Sequence, residues 1–401
     1  MFQRLAIAAL AILLVGCGPS PSPTPRGDAS GDPAASDPAA SDAASGPTGT
    51  PAVPATPVPA PGHEVYGYVP YWEMDGTIAD HVAATPLSTL ALFSVTNRSD
   101  GSIDQAQNGF KRITGPIGRQ MIAQAHDRKV RVEVVFTSFG TARNKQLFGG
   151  TVARQDKVIA SLVAFAHDLG VDGINVDVES MDPEFVPSYG AFVGRLRTAL
   201  RGDTGRGQVS VATTAHINGA AMAAAAAEAG ADRIFMMGYD YHWAGSDPGA
   251  SAPLDRRDGK PQDLAWSLDL YAVAGVPVQR TILGLPFYGM AWPVSGPELG
   301  DPDTGRGDTW IPSDHLFRYD DPTFTPTLDP IEQVEFYAIT DPDVEGGWQG
   351  IYVDSPATLT PKLALADDRG LAGAGFWAIG YERGLPGYND LVKRFADGKL
   401  D

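Results

Sequence analysis

Cysteine and basic residues are scarce in this sequence, and each scarcity excludes a class of protein or site. A single cysteine in 401 residues excludes an intramolecular disulfide, a cysteine-rich zinc site and an iron–sulfur cluster. The chain has 30 Lys and Arg against 48 Asp and Glu, whereas surfaces that track nucleic acid or anionic lipid are basic. We therefore expect no nucleic-acid partner. The seven His are dispersed without a metal-binding spacing, so we predict neither a metal nor another cofactor.

A basic residue and a short apolar run open the chain. Arg4 precedes the run from Leu5 to Val15, which is the plan of a secretory signal and is shorter than the roughly 20 residues of a bilayer span. The run ends in Leu14-Val15-Gly16-Cys17, which resembles a bacterial lipobox. That resemblance implies cleavage before Cys17 and lipidation of this cysteine. We interpret residues 1–17 as a lipoprotein signal peptide; an ordinary cleaved signal with an incidental cysteine is the alternative.

Residues 18–62 have the composition of a linker. They are almost entirely Pro, Ala, Ser, Thr, Gly and Asp, with no aromatic residue and no Lys. Such a segment cannot bury enough apolar surface to offset its ordering entropy, so we predict a disordered linker and a fold that begins near residue 63. We expect an extracytoplasmic monomer, held on the bacterial cell membrane only through a lipid at Cys17.

Eight strand-like apolar runs recur between residues 64 and 380, with helical patterns between them. The runs are Glu64–Trp72, Leu90–Val95, Val130–Thr137, Val171–Glu179, Val209–Thr214, Arg233–Tyr239, Thr281–Tyr288 and Ala374–Gly380. Between them, Arg154–Leu169 and Ser188–Leu200 carry apolar stripes at helical spacing. This alternation predicts a (β/α)8 TIM barrel over residues 63–401. A doubly wound parallel sheet is the rival, although no glycine-rich phosphate loop follows the first strand.

The interval after the seventh predicted strand is too long for one barrel connection. It runs from about residue 292 to about residue 350, is rich in Asp and Glu, and contains strand-like pieces at Gln333–Ile339 and Gln349–Val353. We therefore predict a small α+β insertion at this point of the barrel.

The fourth predicted strand carries a row of polar residues. Because side chains alternate along a strand, Asn175, Asp177 and Glu179 share one face, which in a barrel points into the lumen. Buried polar groups are costly unless they bond one another or a ligand, and barrel active sites lie at the C-terminal ends of the strands. The row therefore predicts an active site; a buried polar network without a ligand is the alternative.

This row belongs to a motif that resembles a known signature. The pattern Asp172-Gly-x-Asn175-x-Asp177-x-Glu179 is similar to the Asp-Gly-x-Asp-x-Asp-x-Glu signature of glycoside hydrolase family 18, the chitinase-like enzymes. Three more segments resemble the sixth, seventh and eighth strands of that family: Met237-Gly238-Tyr239-Asp240, Gly284–Gly289 and Phe376–Gly380. The resemblance extends over most of residues 64–395.

The sequence also departs from the usual pattern of the family. Asn175 stands where the signature has Asp, Phe136–Gly140 replaces the Ser-x-Gly-Gly of the third strand, and Met290 stands where Arg is common. The Asn variant and the Tyr68-Val-Pro-Tyr-Trp72 start look more like the spore-germination, cell-wall-active branch than like typical chitinases.

The resemblance implies substrate-assisted retaining catalysis, in which the 2-acetamido oxygen of the substrate attacks the anomeric carbon. Glu179 would protonate the departing oxygen and then activate water. Asp177 would bond the acetamido N–H, with Asn175 hydrogen-bonded beneath it. Tyr239 would hold the acetamido carbonyl. The residues expected to bind the sugar are Trp377, Asp240, Met237, Tyr68, Tyr288 and Trp72.

Several aromatic residues near predicted strand tops fit a glycan cleft, because sugar C–H faces stack on rings. Besides Tyr68, Trp72, Tyr288 and Trp377, they are Tyr241, Trp243 and Trp292. Core packing is the alternative role for any single one of them.

We therefore expect a glycosidase that acts on β-1,4-linked N-acetylglucosamine polymers, with peptidoglycan or spore-cortex glycan and chitin as candidate substrates. A non-catalytic glycan-binding surface lipoprotein on the same fold is the alternative, although the expected acid, Glu179, is present. An unrelated barrel enzyme with a coincidental motif is a third possibility.

Asn175 generates a first test. Since an amide cannot ionise, it lowers the negative charge beneath Asp177, which then shares a hydrogen bond with its inner neighbour in place of a proton. We predict that Asn175→Asp displaces the acidic limb of the pH–rate profile. An unchanged profile in that variant would contradict this view of Asn175.

Overall fold

The computed structural model describes residues 62–204 and 207–400. The predicted signal peptide, Cys17 and the predicted linker up to residue 61 lie outside these residues. Within the described part of the chain, none of the helices has the length and apolar character needed to cross a bilayer.

Eight parallel strands close into a barrel, which confirms the predicted (β/α)8 fold. The strands are β1 (Glu64–Pro70), β2 (Thr89–Val95), β3 (Arg131–Phe139), β4 (Gly173–Glu179), β5 (Gln208–Thr214), β6 (Arg233–Met237), β7 (Thr281–Pro286) and, after the insertion, β13 (Gly373–Trp377). Their order around the barrel is β1-β13-β7-β6-β5-β4-β3-β2. Each predicted run overlaps one of these strands.

Helices connect the barrel strands or follow the last of them, and one short helix, α9, lies in the insertion. They are α1 (Ile78–Ala84), α2 (Asn108–Ile113), α3 (Pro116–Asp127), α4 (Thr141–Phe148), α5 (Val152–Leu169), α6 (Val186–Thr204), α7 (Ile217–Glu228), α8 (Leu264–Val273), α9 (Leu316–Tyr319), α10 (Pro356–Asp368) and α11 (Tyr388–Ala396). The two predicted helices are confirmed as parts of α5 and α6. The apolar stripe of α5 is buried, and the helix ends at Gly170, whose φ of 76° is left-handed.

The two faces of β4 show how the barrel separates its core from its lumen. Ile174, Val176 and Val178 are at most 2% exposed and face the helices. Asn175 and Asp177 point the other way, since they alternate with these residues. Parallel pairing places Asn175 level with Ser210 of β5, and this register brings polar side chains from neighbouring strands together inside the lumen.

The insertion after β7 is a five-stranded, predominantly antiparallel sheet. Its strands are β8 (Gly289–Val294), β9 (Asp308–Trp310), β10 (Thr327–Asp329), β11 (Val334–Thr340) and β12 (Trp348–Val353), in the order β10-β11-β12-β8-β9. The predicted start near residue 292 is therefore too late. The apolar run continues from β7 into β8 without a polar break, and only the pairing of β8 with β12 assigns that segment to the insertion.

A buried ion pair joins the end of the insertion to α10. Lys362 is 0% exposed, and its ammonium contacts the carboxylate of Asp354, the residue that follows β12. Thr358 donates a second hydrogen bond to the same carboxylate at 2.7 Å, and the Tyr388 hydroxyl donates to the Asp354 carbonyl at 2.6 Å. This cluster fixes the point at which the chain returns from the insertion to the barrel.

The pair predicts a stability difference. Asp354→Ala would leave the Lys362 ammonium buried without its partner, and we expect the free energy of unfolding to fall by roughly 3 to 5 kcal/mol in urea denaturation. The exposed pair of Lys393 and Asp397 provides the matched control, since Asp397→Ala removes a solvated partner. Equal losses in the two variants would show that the buried pair does not stabilise this junction.

Candidate active site

The polar row of β4 descends from the mouth of the barrel into its lumen. Glu179 is partly exposed at the C-terminal end of the strand, Asp177 is 4% exposed and Asn175 is 0% exposed. Ser180, directly after Glu179, has a φ of 60°, so the chain leaves the strand sharply at this point. The three side chains therefore form a column whose upper end alone reaches the solvent.

The loop after β3 fixes the backbone of Glu179. Asn144, buried in α4, donates from Nδ2 to the Glu179 carbonyl at 2.5 Å, and the Gly140 N–H donates to the same oxygen at 3.2 Å. The Ser138 hydroxyl donates to Asn144 Oδ1 at 2.8 Å. The Glu179 carboxyl itself makes no hydrogen bond to the described part of the chain, so it is free to bond a substrate.

Burial changes the acidity of both carboxyls in the column. It raises the pKa of Glu179 to about 7, and the charge of Asp240 contributes to the increase. Burial also raises the pKa of Asp177 well above its ordinary value, and the neighbouring Glu179 adds to this shift. The two carboxyls therefore retain a proton near neutral pH, as a general acid requires.

Residues after β6 and β7 form one wall beside the column. Tyr239 packs in the lumen cluster with Met237, and its ring lies 6.1 Å from that of Tyr288. The Tyr288 hydroxyl donates to the carboxylate of Asp240, whose own N–H donates to the Ser251 hydroxyl at 3.0 Å. Burial raises the pKa of Tyr239, so its hydroxyl stays protonated and can donate to a substrate carbonyl.

Aromatic rings form a second wall. Trp377, partly exposed at the end of β13, lies 5.7 Å from Tyr68, 4.7 Å from Phe93 and 6.2 Å from Trp72 between ring centroids. Tyr68 is 2% exposed and supports Trp377 from inside the barrel. Trp72 is 44% exposed, and its indole N–H donates to the Tyr381 hydroxyl at 3.1 Å. A partly exposed ring on this support is suited to stacking against a sugar.

Two aromatic residues expected near the cleft lie in the core. Trp292 is fully buried in β8 and donates to the Ser246 carbonyl, and Tyr241 is 6% exposed and bonds Ser267. Neither ring can stack on a sugar, because Trp292 packs against Tyr352 of β12 and Tyr241 packs against α8 and His216. Trp243 is partly exposed, with the Arg306 guanidinium 5.6 Å from its ring centroid.

Three buried polar residues of the lumen were not predicted. The Asn175 amide donates to the Ser210 hydroxyl at 2.7 Å, Ser210 donates to Glu133, and the Tyr66 hydroxyl donates to the same Glu133 oxygen at 2.5 Å. Glu133 of β3 is 0% exposed, and burial raises its pKa to about 7. The sequence signal is a charged residue inside the apolar run of residues 130–136, but Arg131 gives the same signal, so the run alone does not single out Glu133.

The sequence of this barrel matches a known protein family. The sequence model of the glycosyl hydrolases family 18 covers residues 64–382, well over half of the chain. The chain belongs to glycosyl hydrolase family 18. This membership confirms the predicted family and its enzyme class, and β4 carries the segment that resembles the family signature.

Family 18 relatives include chitinases and a cell-wall enzyme. A probable endochitinase of Caenorhabditis elegans is 29% identical over 185 residues, covering 42% of this chain and 29% of the relative. A cortical fragment-lytic enzyme of Bacillus anthracis is 23% identical over 230 residues, covering 56% of this chain and 50% of the relative. The chain thus matches half or less of the length of each, and the second supports the predicted likeness to the cell-wall-active branch.

The family 18 fold also appears in a solved structure. The crystal structure of an immunomodulatory active chitinase from Trichuris suis superposes with a TM-score of 0.72 at 18% identity, covering 84% of this chain and 100% of that one. At this identity the likeness establishes the fold.

The raised pKa of Glu179 predicts a pH-dependent stability in this family 18 site. A carboxyl whose pKa rises on folding binds more protons in the native state between about pH 4 and pH 7, so its contribution to stability falls as pH rises through this window. Glu179→Gln removes that loss. We expect the variant to be more stable than the wild type at pH 8, on the order of 1 kcal/mol, and nearly equal at pH 4.

Thermal unfolding at the two pH values measures this difference. Glu184→Gln is the matched control, because the same substitution is made at an exposed glutamate close in sequence. A gain of equal size at pH 4 and pH 8 would contradict the shifted pKa.

Proposed function

We propose that the protein is a glycosidase that hydrolyses β-1,4-linked N-acetylglucosamine-containing glycans with retention of configuration. The observation that carries the proposal is the unbonded Glu179 carboxyl, with a pKa of about 7, above the buried Asp177. Tyr239 and Trp377 flank this column in a family 18 chain. An acid, a neighbouring carboxyl, a hydroxyl donor and a stacking ring are the groups that the reaction needs.

The chemistry proceeds in two steps. Glu179 donates its proton to the glycosidic oxygen as the substrate's own acetamido oxygen attacks the anomeric carbon, and the aglycone leaves. Asp177 accepts a hydrogen bond from the acetamido N–H of the resulting oxazolinium, and the Tyr239 hydroxyl donates to the acetamido oxygen. Glu179, now ionised, removes a proton from water, which opens the oxazolinium at the same face and restores the acid.

One relative and the predicted lipid anchor and linker favour a glycan of the bacterial envelope as substrate over free chitin. The likeness to a cortical fragment-lytic enzyme supports this choice, as do the lipid anchor at Cys17 and the linker predicted from the sequence. We propose that a monomer, tethered outside the cytoplasm, reaches peptidoglycan within the length of its linker. Chitin oligomers contain the same acetamido group and are the second candidate substrate.

Turnover of purified peptidoglycan and of defined chito-oligosaccharides tests the function. We expect the wild type to release reducing ends, and Glu179→Gln to lower the rate by about 10²- to 10⁴-fold because the proton donor is lost. Glu184→Gln, which changes an exposed glutamate outside the column, should retain full activity. NMR of the first product formed should show the β-anomer.

Three outcomes would contradict the proposal. Binding of either glycan without release of reducing ends would indicate a binding protein. Equal activity of Glu179→Gln and the wild type would exclude Glu179 as the acid. An initial α-anomer would exclude the retaining route.

A further inference from the structure

A chain of hydrogen bonds continues the catalytic column below Asn175. Asn175, Ser210 and Glu133 are all 0% exposed, and Tyr66 is 1% exposed. They come from four strands, β4, β5, β3 and β1. Ser210 and Tyr66 both donate to Glu133 Oε2, and Asn175 reaches that oxygen through Ser210. A buried carboxyl at the centre of a closed barrel is costly, so its hydrogen bonds constrain every neighbour.

The chemistry of Glu133 determines the direction of this chain. A carboxylate only accepts hydrogen bonds, so Ser210 must donate its single proton to Glu133. Ser210 can then only accept from Asn175, which places the amide Nδ2 toward Ser210. The orientation of the amide therefore follows from the carboxyl two hydrogen bonds away and not from the shape of the Asn175 side chain, which is the same in either orientation.

This orientation leaves two oxygens without a partner in the described part of the chain. Asn175 Oδ1 and Asp177 Oδ1 are both buried and unbonded, on adjacent positions of the same strand face. Two acceptors cannot bond each other, and the buried Tyr68 hydroxyl, which also lacks a partner in the described residues, has a single proton and can serve only one of them. A proton on Asp177 satisfies the other. Glu133 Oε1 is also unbonded, and the proton that Glu133 takes up can sit there while Oε2 continues to accept from both hydroxyls.

We propose that Glu133 is a positioning residue for hydrolysis: acting through Ser210, it turns the Asn175 carbonyl toward Asp177 and so holds a proton on Asp177 in the free enzyme. This role rests on the proposed function, because the column is taken to be the site of catalysis. The other groups that act electrostatically on Glu133 are Arg131, Asp232 and Arg233 at the base of the barrel and Tyr66 and Tyr68 within the lumen.

Two variants break the chain at different points. In Glu133→Met, Ser210 loses its acceptor and is free to donate to Asn175 Oδ1, which turns the amide N–H toward Asp177. Ser210→Ala removes the link itself. Either change favours the ionised form of Asp177, so we expect the acidic limb of kcat/KM to move to lower pH by about one unit in both, and no further in the double variant.

A conservative variant separates orientation from charge. Glu133→Gln keeps an oxygen that can accept from both hydroxyls but removes the charge, and we expect its pH profile to stay within about 0.3 unit of the wild type. Thr213→Val is the matched structural control. It removes a buried hydroxyl from β5, on the face opposite to Ser210, where Thr213 bonds Tyr271 at 2.8 Å. This variant should lower thermal stability without moving the pH profile.

The Asp177 carboxyl can also be followed directly. In protein labelled with ¹³C at aspartate side chains, NMR titration reports the pKa of Asp177 whether or not the enzyme turns over, and we expect this pKa to fall in Glu133→Met and in Ser210→Ala. If the wild type releases no reducing ends, the proposed function fails, and the titration still decides the role of Glu133.

Two results would overturn the inference. If the pKa of Asp177 is unchanged in both Glu133→Met and Ser210→Ala, Glu133 has no influence on the column. An equal shift in Glu133→Gln and Glu133→Met, with none in Ser210→Ala, would show that the charge of Glu133 acts through space and that the hydrogen-bond chain does not.

Discussion

Exclusion of bulk solvent from the barrel lumen is the constraint on which the site depends. Asn175 and Asp177 are 0% and 4% exposed, so their polar atoms depend on bonding groups inside the lumen or on a substrate. The same exclusion raises the pKa of Asp177 and brings that of Glu179 to about 7. The closed barrel thus converts two ordinary carboxyls into a pair that keeps a proton at neutral pH, and the acid needs no special ligand.

The insertion contributes to the site by holding loops on both sides of the mouth. Glu332, 1% exposed in the turn before β11, accepts from the N–H groups of Ala250 and Arg257 in the loop after β6, at 2.6 and 3.1 Å. That loop begins with Tyr239 and Asp240. At the second wall, the Ser313 N–H donates to the carbonyl of Tyr381, whose hydroxyl accepts from the Trp72 indole. The acidic insertion is therefore hydrogen-bonded to loops of both walls, which otherwise come from separate barrel loops.

Local patterns predicted the fold well, and long-range pairing accounts for what they missed. Alternation along β4 was sufficient to place Asn175, Asp177 and Glu179 on one face, because that periodicity is a property of the strand alone. The start of the insertion depends on pairing between β8 and β12, about 60 residues apart, which no local run displays. Trp292 and Tyr241 were expected near the cleft because they lie near predicted strand tops. An aromatic residue at a strand top is equally typical of the core and of a sugar site, and only its packing in the structure distinguishes these two roles. The place of Glu133 in the lumen could be predicted only from the register of β3 with β4.

Glu133 also gives a physical account of Asn175. An Asp at that position would add a fourth carboxyl to a lumen that already holds Glu133, Asp177 and Glu179, and like charges at this depth cannot all ionise. With Asn, the position below Asp177 is neutral, and the further carboxyl of the lumen, Glu133, lies on the neighbouring strand and accepts hydrogen bonds from Tyr66 and Ser210. Under the proposed role of Glu133, the further carboxyl of the lumen lies on β3, and the neutral Asn175 amide transmits its influence through the direction of its hydrogen bonds.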